Sequence, residues 1–208
     1  MSLQAAFNPL DKHNLGQSVA LALSNCPAAP LNDLPKFPGA GIYALYYSGN
    51  FEPYAVLATL NRSTARIPIY VGKAIPEGSR KGVNPKASSE SKKLRNRLSE
   101  HARSIGHTKA LKVADFTCKF LVVEETWIGL CESLLIQTST PLWNTMLDGF
   151  GRHVQGGNRK DGVSAWHAFH GGRDLVKGVK IDSALLEKLT SDVAALMTKL
   201  KTTEKQLP

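Results

Sequence analysis

The sequence predicts an α/β (α+β) protein, in which a few short strands alternate with amphipathic helices. Three observations lead there. Short aromatic and β-branched runs bounded by glycine, serine and asparagine occur at Ile42-Tyr43-Ala44-Leu45-Tyr46-Tyr47 and Ile67–Lys73. Several other segments carry apolar residues at helical spacing. With 42% hydrophobic residues in 208 positions the chain can build a substantial core, which excludes wholesale disorder.

Leu15, Val19 and Leu23 recur every four residues and predict a helix between Asp11 and Asn25. Pro27, Pro30, Pro35 and Pro38 then enforce an extended connector. Gly39-Ala40-Gly41 leads into the first strand, which Ser48-Gly49-Asn50 ends. A second strand is expected at Tyr54–Leu60 and a third at Ile67–Lys73, with Pro68 at its first residues or on an edge. Pro76 to Ser91 is Gly-, Ser- and Lys-rich and reads as a long mobile loop. Leu94, Leu98, Ala102 and Ile105 mark a helix over Ser91–Ser104, and Phe116–Val123 a core strand. Ile128, Cys131, Leu134 and Leu135 share one face of a buried helix over Trp127–Gln137, stopped by Pro141. Between Gly149 and Gly172 seven glycines make the chain loop-like, interleaved with Arg152, His153, Arg159, Lys160, Trp166, His167 and His170. A final helix spans Ser183–Lys201.

The net charge of +9 is unevenly placed. Pro76–Asp115 holds ten Lys/Arg against four Asp/Glu, Gly149–Lys180 holds six against two, and the remainder is nearly balanced. Two basic segments in an otherwise balanced chain point to a polyanionic partner, most simply nucleic acid. Three cysteines without a CxxC pair argue against a disulfide framework or a cysteine zinc site, so a reducing cytoplasm is expected. The first residues have neither a basic n-region nor an apolar h-region, and no run is long enough to span a membrane.

Two tripeptides carry the strongest signal: Gly41-Ile42-Tyr43 and Tyr70-Val71-Gly72, the second followed by Lys73. Arg97 and His101 follow four apart, then a helical Glu132, then Asn144. In that order these residues resemble the GIY-YIG nuclease family over Gly39–Asn144. Two features depart from the family pattern: the insertion of Asn50–Arg66 between the tripeptides with a further enlargement at Pro76–Ser91, and valine in place of isoleucine in the second tripeptide. The resemblance implies a small antiparallel sheet flanked by helices. It also implies that Tyr43 helps deprotonate the nucleophilic water, that Tyr70 and Lys73 position phosphate or water, and that Asn144 supports the site through hydrogen bonds.

The chemistry of the residues leads the same way. Phosphodiester hydrolysis needs an activated water and stabilised phosphoryl oxygens. Glu132, in an apolar helix, is a candidate ligand for one Mg²⁺ per site, although it equally fits a solvated face with Gly129 and Ser133. Arg97 and His101 project from one helix face, either as a phosphate fork with a proton acceptor or as a basic solvated face. His167 and His170 lack a second ligand pair and suggest a DNA contact or loop hydrogen bond rather than a metal site. Arg80, Lys81, Lys86, Lys92 and Lys93 are candidate phosphate contacts; Arg152, His153, Asn158, Arg159 and Lys160 are candidate groove contacts.

The expected organisation is an N-terminal helix and connector over residues 1–38, a nuclease core over 39–147 with its basic insertion at 76–93, and a basic glycine-rich segment with the last helix over 148–208. A PD-(D/E)xK nuclease is disfavoured because the one matching triplet, Glu90-Ser91-Lys92, lies in or beside the polar loop. The resembling restriction-enzyme branch leads one to expect Mg²⁺-dependent cutting of double-stranded DNA, at a G/C-rich palindrome, by a homodimer with a cognate methyltransferase as its functional partner. A non-catalytic DNA-binding protein and a repair or homing nuclease are the alternatives.

Overall fold

The computed structural model describes residue 8 and residues 10–76, 87–151, 164–171 and 182–204. In chain order its elements are α1 (Lys12–Ser24), β1 (Ala29–Pro30), β2 (Gly41–Tyr47), α2 (Ala55–Asn61) and β3 (Tyr70–Ala74). There follow α3 (Ala87–Glu90), α4 (Lys93–Gly106), β4 (Phe116–Val122), α5 (Glu125–Ser139), α6 (Leu142–Thr145), α7 (Ala165–His170) and α8 (Ser183–Glu204). The strands form an antiparallel sheet in the order β1-β4-β2-β3. This is the α+β architecture expected, with helices on both faces of a small sheet.

β2 is central and wholly buried, so both of its faces are apolar rather than alternating. Tyr43, Leu45 and Tyr47 face one core, shared with α2, α4, α6, α7 and α8. Ile42, Ala44 and Tyr46 face a second core beneath α1 and α5. Gly41 is required here: its φ is +153°, and an added Cβ would collide with the Leu121 carbonyl of the neighbouring strand. α1 crosses α5 closely at Gly16, where an added Cβ would lie 3.1 Å from Thr138 Oγ1.

Residues 54–60, expected as a strand, are helical. Pro53 opens a 3₁₀ turn that runs into α2, and Tyr54, Leu57, Ala58 and Asn61 are buried at helical spacing. The aromatic and β-branched content suggested a strand, but this period, together with two alanines, prevails. Asn61 then closes the connection to β3 with four hydrogen bonds. Its amide donates to the Tyr47 and Ile67 carbonyls, and its oxygen accepts from the Arg66 and Ile67 amides.

β3 begins at Tyr70, past Pro68, and is an edge strand, which leaves proline no ladder bond to break. Most of the basic insertion lies outside the described residues; within them, Ala87–Glu90 forms the short α3. A second correction concerns the stretch after Asp148. Ala165–His170 is the helix α7, and Trp166 and His170 are core residues rather than members of a DNA-facing loop. The apolar stripe of α8 packs inward through Leu189, Val193 and Met197. Among the described residues no helix is long and apolar enough to cross a membrane, and Cys26, Cys118 and Cys131 are all free thiols.

Candidate active site

Tyr43 enters from the middle of the sheet, and its side chain passes over Gly72 of β3. A Cβ on Gly72 would collide with the Tyr43 hydroxyl and lie 3.0 Å from the Tyr70 ring, so the last residue of the second tripeptide must be small. In α4, Leu94, Leu98, His101 and Ile105 form one buried stripe, which carries the imidazole into the core. There the Tyr43 hydroxyl and His101 Nε2 are 2.6 Å apart. The Tyr70 ring meets His101 edge-on at 5.2 Å between centroids. His101 is therefore no member of a solvated face: it is fully buried.

Arg97, one turn earlier on α4, lies along the rim. Its guanidinium donates to Glu100 Oε2 at 3.0 Å and to the Gly151 carbonyl at 2.6 Å, and it also bonds the tyrosine hydroxyls. When His101 carries its hydrogen on Nδ1, its Nε2 accepts the Tyr43 proton, and Arg97 donates to the phenolic oxygen from the other side. Burial raises the Tyr43 phenol well above its ordinary value, Tyr70 and Glu132 add to this, and Arg97 opposes it. Burial likewise raises Tyr70, against Arg97. Burial alone would lower Arg97, but Tyr43, Glu100 and Tyr70 outweigh it and hold the guanidinium charged. A free phenolate is thus disfavoured, whereas a phenol coupled to a proton acceptor is favoured.

Lys73 and Glu132 complete the set from the other side of the edge strand. Lys73 Nζ lies 2.7 Å from Glu132 Oε2, with the two side chains 37% and 18% exposed. Glu132 therefore does not share the open face of α5 with Gly129 and Ser133. Its carboxylate is held against β3, near enough to act on both tyrosines. It already binds a cation, the lysine ammonium, and that ammonium is exposed enough to leave. Such a carboxylate suits a hard divalent ion that keeps several waters and phosphate oxygens as ligands. Among the described residues no group of three or more His, Cys, Asp or Glu converges on a metal position, so any such ion would rely on Glu132.

Asn144 clamps the edge strand. Its Oδ1 accepts from the Val71 amide and its Nδ2 donates to the Val71 carbonyl, each at 2.8 Å. One side chain thus replaces a missing neighbour strand between Tyr70 and Gly72. Asn144→Asp is expected to set a carboxylate oxygen against the Val71 carbonyl and destabilise the fold by roughly 2 kcal/mol. Chemical denaturation checks this, and an unchanged midpoint would contradict the clamp.

The geometry brings together Tyr43, Tyr70, Arg97, His101, Lys73 and Glu132 around one edge, with Asn144 behind it. Of the expected DNA contacts, Lys92 is exposed and Lys93 half-buried at the start of α4. Arg80, Lys81, Lys86, Arg152, His153, Asn158, Arg159 and Lys160 lie outside the described residues. His167 and His170 are buried, with His167 Nδ1 2.7 Å from Ser164 Oγ and His170 Nε2 2.6 Å from the Tyr54 hydroxyl. Sequence reasoning passed over Phe150 and Gly151, which roof the site. Their one signal was Gly149-Phe150-Gly151, a pattern that marks a turn but says nothing of what the turn touches.

A tyrosine pair on adjacent antiparallel strands, an arginine and histidine on the following helix and a glutamate on the next define a GIY-YIG nuclease core. The family model described as the Eco29kI GIY-YIG domain matches residues 35–197. The chain belongs to this family, a restriction-type nuclease. Among curated proteins none matches significantly.

Proposed function

We propose that the protein is a type II restriction endonuclease that hydrolyses phosphodiesters in double-stranded DNA at a specific sequence, using Mg²⁺. The 2.6 Å contact between the Tyr43 hydroxyl and His101 Nε2 carries this reading. Tyr54 makes the same kind of contact with His170 in the core, but only Tyr43 is also met by Arg97, Tyr70 and Glu132, the groups a phosphodiester would need around it. In the proposed reaction an attacking water passes a proton to the Tyr43 oxygen as Tyr43 passes its own to His101. The resulting hydroxide attacks phosphorus, the bond from phosphorus to the leaving oxygen breaks, and that oxygen takes a proton from solvent. Arg97 stabilises charge on the phosphoryl oxygens, and Tyr70 and Lys73 orient the phosphate or water. A divalent ion held by Glu132 would supply further charge to the phosphoryl and leaving oxygens.

Lys92 and Lys93 start α4, where the helix dipole disfavours cations. A phosphate backbone there reconciles them, and they join Arg80, Lys81 and Lys86 as proposed backbone contacts. Arg152, His153, Asn158, Arg159 and Lys160 are proposed to read the groove. Symmetric cutting of both strands calls for two protomers, hence a homodimer at a palindrome. G/C-rich sequence, cytoplasmic location and a cognate methyltransferase as functional partner complete the proposal. Digesting a plasmid of known sequence with Mg²⁺ and sequencing the fragment ends tests it. Discrete ends sharing one palindromic site are expected; no cutting of diverse DNA would favour a non-catalytic DNA-binding protein.

A further inference from the structure

We infer that Gly151, together with Phe150, is a positioning residue for the two α4 side chains that the proposed reaction uses; the inference rests on that nuclease reading. Three contacts converge on this short stretch. The Gly151 carbonyl accepts from Arg97 Nη2 at 2.6 Å. The Phe150 ring stacks on His101, with centroids 4.6 Å apart and planes 22° from parallel, and meets Tyr70 edge-on at 4.9 Å. Phe150 is buried, anchored on the far side by Trp143 and Trp166 at 4.5 and 4.9 Å.

Gly151 must be glycine for two separate reasons. Its φ of +71° lies in the left-handed region. A Cβ there would also stand 2.5 Å from His101 Cε1 and 3.2 Å from Arg97 Nη2. The imidazole has no room to yield, because it is fully buried between the Tyr43 hydroxyl, the Tyr70 edge and the Phe150 face. An added methyl therefore displaces the proton acceptor from Tyr43 and loosens the guanidinium at once. The carbonyl turns one Arg97 amine away from Glu100, leaving the fork set across the site rather than along its own helix. Gly151 acts through these neighbours and needs no contact with DNA to do so.

The experiment measures DNA cleavage by wild type, Gly151→Ala and Phe150→Leu with Mg²⁺, separating kcat from KM, with thermal melting of each protein. Gly151→Ala is expected to lower kcat on the order of 10²-fold while KM stays within about threefold, the pattern of misplaced reacting groups rather than lost binding. Gly149→Ala is the comparison. Its φ is +96°, but its methyl would meet the Ser164 side chain, so it reports backbone strain without the selective fall in kcat. Folded Gly151→Ala with wild-type kcat, or a loss confined to KM, overturns the inference. If Gly151→Ala does not fold, Phe150→Leu decides. It retains the carbonyl and much of the apolar volume, and is expected to lower kcat about tenfold; unchanged kcat overturns the inference. Wild-type protein that cuts no DNA overturns the nuclease reading and this inference together, whereas fast cutting by the variants overturns the inference alone.

Discussion

Glu132→Ala is expected to lower Mg²⁺-dependent cleavage by on the order of 10³-fold or more, equivalent to about 4 kcal/mol of transition-state stabilisation. The size follows from the sparse ligand set: among the described residues no group of three or more His, Cys, Asp or Glu forms a metal position that would hold the ion once Glu132 is removed. DNA affinity should be retained, because removing a negative charge beside a polyanion does not weaken its binding. Loss of fold is not the explanation to expect either. The Lys73–Glu132 pair is partly exposed on both sides, so breaking it costs about 1 kcal/mol or less. Gel-shift and single-turnover assays on the same preparation separate these effects. Substantial residual Mg²⁺-dependent cutting would remove Glu132 from the proposed metal role.

Stability should fall as the pH drops from about 6.5 toward 4, and a single buried histidine should account for much of the loss. The Trp143 indole donates to the Tyr54 hydroxyl at 3.1 Å, and Tyr54 and His170 Nε2 are 2.6 Å apart. His170 Nδ1 lies 2.8 Å from the Trp166 carbonyl, which can only accept. The proton is therefore on Nδ1, Nε2 accepts from Tyr54, and the ring is neutral. Burial lowers its pKa from 6.5 to about 4, assisted by His167 and opposed by the Trp166 carbonyl. Between those values the unfolded chain binds the extra proton and the folded chain does not, so stability rises with pH in that window. Fully developed above 6.5, the contribution is about 3 kcal/mol and is lost as pH falls through about 4. Carboxylates titrate nearby, so the measurement is a difference. The gap in unfolding free energy between wild type and His170→Gln should narrow as pH falls from 7 to 4. A constant gap would show that His170 is not the titrating group.

The consequence reaches the site, because this network holds the helix that clamps the edge strand. Trp143 lies next to Asn144, and its backbone amide donates to Ile69 just before Tyr70. Acid that charges His170 should loosen α6 and β3 before it disturbs the Tyr43 strand, which is hydrogen-bonded on both sides.

What the sequence determined by itself was the set of chemistry-bearing residues and most of the elements carrying them. Tyr43, Tyr70 and Glu132 lie on the strands and helix that local periodicity indicated, because alternation and helical spacing are written in neighbouring residues. His101 was legible as a candidate. Its burial was not: it stands beside the Leu94 and Leu98 stripe, but a basic neighbour such as Arg97 pointed equally to solvent, and only the fold turns it fully inward. The strand expected at Tyr54–Leu60 failed where local content and period disagreed, and packing against α8 favoured the helix.

Only the tertiary structure decided which groups meet. The partnership of Lys73 with Glu132, the grip of Asn144 on Val71, and the bond between Tyr54 and His170 join residues from 59 to 116 positions apart. Such contacts depend on how sheet and helices stack, which no local pattern encodes. The same holds for Gly151. In the sequence it is one loop glycine among several; in the fold, the space its missing side chain leaves is where His101 and Arg97 stand.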